Sequence, residues 1–75
     1  MILRYRLEYF GKNVQGAYQT PTVSKALDYI KDFPENYAYM VCDLKTHTIE
    51  LYRYTQVMAV DEFQNLMNKL VERSK

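Results

Sequence analysis

Hydrophobic periodicity switches back and forth between two residues and 3.6 residues along this chain, and that succession limits the available folds more than any other feature. Leu3, Tyr5, Leu7 and Tyr9 alternate with Arg4, Arg6 and Glu8, which predicts a strand over residues 2–10 with one apolar and one charged face. Gly11, Lys12 and Asn13 then supply a turn, because Gly and Asn accept the positive φ that hairpins often require. A weaker strand follows over residues 14–20, where Gly16 points to a bulge or an edge position. Val23, Ala26, Leu27, Ile30 and Phe33 fall on one stripe of a helix. Thr20 or Thr22 can cap it, Pro21 suits its first turn, and Pro34 stops it at Phe33.

The pattern then repeats. Residues 37–44 (YAYMVCDL) and 48–54 (TIELYRY) read as strands joined by a turn at Lys45, Thr46 and His47. Val60, Phe63, Leu66, Met67, Leu70 and Val71 form the apolar stripe of a second helix, with Asp61 as its expected N-cap and Gln64 at the capping-box position. An offset of 34 residues aligns Tyr5 with Tyr39 and Tyr18 with Tyr52 but little else, a weak hint of duplication. A ββαββα order with one stripe per helix predicts an α+β fold: a four-stranded, mostly antiparallel sheet with two helices packed on one face. At 75 residues the expectation is one small domain spanning residues 1–75.

Composition excludes several classes. A chain that is 48% hydrophobic and 15% aromatic is not disordered. A net charge of +1 gives no large field to steer nucleic acid or an anionic membrane. No apolar run approaches the roughly 18 residues that cross a bilayer, and the first ten residues lack the apolar core of a signal peptide, so the expected location is cytoplasmic. So short a chain buries only about 60% of its unfolded surface, and a dimer interface would add to its stability.

Chemistry-bearing residues are sparse. The single Cys, Cys42, cannot form an intramolecular disulfide or a four-cysteine zinc site, and in mid-strand it reads as a small core hydrophobe. His47 is the only His and falls in a turn. Asp28, Asp32 and Glu35 read as a solvated helix face, and Gly11 and Gly16 do not have the placement of a phosphate-binding loop. We therefore expect no catalytic set, no metal, no cofactor and no small-molecule substrate.

Eight tyrosines are the compositional anomaly. If Asp43 pairs with Thr48 across the second hairpin, Cys42 meets Ile49 and Met40 meets Leu51 beneath the helices, while Tyr39 meets Tyr52 and Tyr37 meets Tyr54 on the other face. A register offset by one residue mixes polar and apolar groups on both faces, so the first is expected. Arg4, Arg6, Tyr37, Tyr39, Tyr52 and Tyr54 would then form one exposed aromatic and basic face, suited to binding another protein or a second copy of the chain. The alternative partner for such a face is single-stranded nucleic acid, with bases stacked on the rings. The plainer explanation is sheet stabilisation, since cross-strand tyrosine pairs contribute about 0.2–1 kcal/mol each. Residues 14–20, as an edge strand, offer a further route to a partner through strand addition. The function expected is that of a small, non-enzymatic accessory or regulatory protein.

Overall fold

A computed structural model describes residues 2–73. Six elements follow in the expected order: β1 (Tyr5–Phe10), β2 (Gln15–Thr20), α1 (Val23–Ile30), β3 (Ala38–Asp43), β4 (Thr48–Arg53) and α2 (Val60–Arg73). They build one open sheet in the order β2-β1-β3-β4, antiparallel at every pairing. The fold is α+β, with both helices packed on the sheet. No helix among the described residues is long and apolar enough to cross a membrane.

The helices do not share a face, and this corrects the arrangement expected from the sequence. Leu7 and Val41, opposite each other in the β1–β3 register, pack with Ala26 and Ile30 of α1. Phe10, Ala38, Met40 and Cys42 pack with Phe63 and Leu70 of α2. Successive residues of a strand point to opposite sides, so α1 and α2 lie on opposite sides of the sheet. Strand β3 explains this: Ala38, Met40, Val41, Cys42 and Asp43 are all buried, which requires cover on both faces. The cover is staggered, with α1 over β1 and β2 and α2 over β3 and β4. A two-fold axis normal to the sheet would put both helices on one side, so the offset of 34 does not reflect a symmetric pair of ββα units.

The second hairpin departs from the expected register halfway along. Asp43 pairs with Thr48 and Cys42 with Ile49, as expected, but Val41 then pairs with Leu51, Met40 with Tyr52 and Tyr39 with Arg53. Glu50 is the extra residue of a β-bulge, and it turns every later side chain of β4 to the other face.

Two helix boundaries also differ. Helix α1 ends at Ile30, and residues 31–33 form a turn in which Phe33 N donates to Ile30 O at 3.0 Å. Its cap is Thr22, whose hydroxyl accepts from Lys25 N at 3.2 Å. Helix α2 starts at Val60, so Asp61 lies in its first turn instead of capping it, and there its charge favours the helix dipole.

Candidate functional site

The six residues expected on one face are divided between two. Arg6, Tyr52 and Tyr54 lie on the α2 side, by their pairing with Cys42 and Met40 and by contact with Phe63. Tyr39 lies on the α1 side, opposite Tyr9. Tyr37 precedes β3 and sets its ring against Phe33, with centroids 5.2 Å apart and planes tilted by 59°. Val41, which lies between Met40 and Cys42 and so falls outside in the expected register, is fully buried against α1. Two features divide them: the β1–β3 register sets Arg6 opposite Cys42 and so away from the Tyr39 side, and the bulge at Glu50 turns Tyr52 and Tyr54 to the α2 side.

Most of these groups are also engaged within the chain. Arg4 donates from Nε and Nη2 to the Asp43 carboxylate at 2.9 and 2.7 Å, with its guanidinium 5.4 Å from the Tyr5 ring. Asp43 is 1% exposed and also accepts from Lys45 N and Thr46 N. The bond from Arg4, assisted by those two amides, holds the Asp43 carboxyl well below the usual carboxylate range. Arg6 donates to Glu8 at 3.1 Å. The Tyr54 hydroxyl donates to Met58 O at 2.6 Å, fixing the loop that leads into α2. Arg53, which the sequence did not single out, donates to the carbonyls of Tyr37 and Pro34 and lies over the Tyr39 ring, tying the α1–β3 loop to β4. Among the described residues, the groups expected on one aromatic and basic face do not form one continuous surface.

A different aromatic group surrounds α1. Tyr18 of β2 and Tyr29 of α1 stack with ring centroids 4.6 Å apart and planes 6° from parallel. Tyr9 meets Tyr29 at 5.9 Å and Phe33 at 5.0 Å, and Phe33 leads on to Tyr37. A side-chain hydrogen bond with Tyr29, and then burial, raise the Tyr9 phenol above the ordinary tyrosine range. Two glycines make room for these rings. Tyr9 lies across Gly16, its pairing partner, where a Cβ would fall 2.5 Å from Tyr9 Cζ. A Cβ on Gly11 would fall 2.5 Å from Tyr37 Cε1. Gly16 is therefore on an edge strand, as expected, but it marks a ring contact and not a bulge. Tyr29 escaped the sequence reading because it falls outside the apolar stripe of α1. Its spacing of four residues from Phe33 was the available signal.

The two sheet edges differ sharply. Strand β2 pairs with β1 without interruption over six residues, and Gln15, Ala17, Tyr18 and Gln19 are exposed. Residues 13–24 contain no charged side chain, and β2 contains no proline. Strand β4 carries Glu50, Arg53 and the bulge. Charges, prolines and bulges are the devices by which sheet edges avoid pairing with other strands. By those criteria β4 is protected and β2 is open. Beside β2, a shallow depression of about 470 Å³ is lined by Tyr18, Thr20, Pro21, Lys25, Asp28 and Tyr29. The chain matches no protein-family model, no curated protein and no solved structure.

Proposed function

We propose that this chain is a non-enzymatic protein-binding module, an accessory or regulatory protein that docks an extended segment of its partner by strand addition at β2. The observation that carries this is the contrast between the edges: β2 is uninterrupted and uncharged, while β4 is bulged and charged. An added strand would gain main-chain hydrogen bonds along β2, and alternate side chains would give specificity. Those on the α1 side would meet the Tyr18–Tyr29 stack, which is 48% and 40% exposed at its two residues, and the depression beside it. Tyrosine suits that place, offering large contact area at small entropic cost.

The test is selection of a random peptide display library on the full chain, followed by amide-shift mapping of the selected peptides by NMR. Shifts concentrated in residues 15–20 and around Tyr29, abolished by Ala17→Lys with Gln19→Lys, are the expected result. Both substituted side chains are exposed on the face of β2 that α1 does not cover, so the fold tolerates the change. Shifts centred instead on Tyr39, Leu51 and Arg53 would overturn strand addition at β2.

A further inference from the structure

The same edge is self-complementary. At a two-fold interface every side chain near the axis meets its own copy, so a charged residue there meets a like charge. Residues 13–24 present none, with Lys12 and Lys25 flanking the stretch. With no charged side chain along β2, a second copy meets no like-charge opposition there. The opposite edge limits what pairing can build. Because β4 is blunted by its bulge and by Glu50 and Arg53, an assembly joined at β2 has no second open edge and closes as a dimer.

We propose that the partner at β2 is a second copy of this chain, joined by antiparallel pairing of the two β2 strands into one continuous eight-stranded sheet. This assignment rests on β2 being the docking edge. Geometry narrows the register. Residues opposed across an antiparallel pair point to the same face, so a two-fold axis passes through a residue pair of identical number and never between neighbouring positions. Near the middle of β2 the axis falls at Ala17, setting Tyr18 opposite the partner copy's Gly16, or at Tyr18, setting the two rings together. Either choice brings the exposed Tyr18–Tyr29 stacks of both copies to one face of the joined sheet.

Sedimentation equilibrium of the full chain over a wide concentration range tests the inference. The expected mass is twice the 9.0 kDa of the chain, falling to the single-chain value in Ala17→Lys with Gln19→Lys, while Thr48→Lys on the β4 edge leaves it doubled. Cysteine substitutions then read the register: Ala17→Cys cross-links across an axis at residue 17 and Tyr18→Cys across an axis at residue 18, against a native Cys42 that is fully buried. A wild-type chain that stays monomeric overturns the second copy as partner, and peptides mapping to β2 would still uphold that edge as the docking site. A dimer that survives the two lysines overturns the placement of its contact at β2.

Discussion

Single residues hold the aromatic group and the second hairpin in place, and two of them make sharp tests. Gly16 is needed because the Tyr9 ring occupies the space above it, and that ring is itself held by Tyr29 and Phe33. Gly16→Ala should therefore cost about 1–3 kcal/mol, the range for overpacking a filled site. Most of the loss should disappear when Tyr9 is first cut back to Ala, so a double-mutant cycle by urea unfolding checks the contact. Additive losses would show that the ring and the glycine do not meet. Asp43 supplies a pH test. Its folded-state pKa lies below that of an unfolded aspartate, near about 3.9, so its contribution is complete above that range and is lost as pH falls toward the depressed value. Thermal unfolding midpoints of the wild type should drop steeply on the acid side. Those of Asp43→Asn should begin lower and fall less over the same interval. Parallel curves would mean that the Arg4–Asp43 pair does not carry the acid dependence.

At the scale of elements, strand and helix identity was readable and facing was not. The order ββαββα followed from alternation in β1 and from stripes such as Ala26 and Ile30 or Phe63 and Leu70, because those periods record which side of an element is buried. Two features broke the step from element to face. The expected register gives the apolar run through Tyr39, Met40, Val41 and Cys42 one core side, although a run without alternation is what a strand covered on both sides shows. Glu50 then sits in a stretch whose alternation looks regular, and a bulge adds a residue without changing composition, so nothing local announces that Ile49 and Leu51 serve opposite faces. The proposed edge was partly visible in Gly16, Gln15 and Gln19, but its contrast with β4 depends on the strand order and the bulge. Helix caps give a prediction at this scale. An eight-residue helix is marginal alone and leans on its cap and its packing. Thr22→Ala should cost about 1 kcal/mol. Asp61→Ala removes only a first-turn charge and should cost less, about 0.3–1 kcal/mol, an amount that shrinks with added salt. Denaturant midpoints of the two variants at low and high salt separate the roles. A larger loss from Asp61→Ala would restore it as the cap of α2.

At the scale of the whole molecule, the staggered helices and the unequal edges belong to one arrangement. Strands β2 and β3 both run antiparallel to β1, so they run parallel to each other, and the connection through α1 passes over β1 on one side. Helix α2 then takes the other side, where Phe10, Ala38, Met40 and Cys42 would otherwise be exposed. Each face keeps an uncovered half, and the half beside β2 on the α2 side is polar, with Gln15, Ala17 and Gln19 around the Arg6–Glu8 pair. In the proposed assembly, contacts between copies form at the sheet edges, and the bulge at Glu50 leaves β2 as the open one. Deleting Glu50 tests this directly. Ile49 would stay opposite Cys42 and Leu51 opposite Val41, so every side chain keeps its face and the fold should persist. What changes is the β4 edge, which loses both its kink and a carboxylate and becomes a second flat edge. A chain with two pairing edges no longer closes on itself, so light scattering should show species larger than the proposed dimer that grow with concentration, while far-ultraviolet circular dichroism stays that of the wild type. If the deletion variant instead keeps the wild-type mass at every concentration, the bulge is not what protects β4, and the asymmetry of the two edges must come from Arg53 and the loop it ties down.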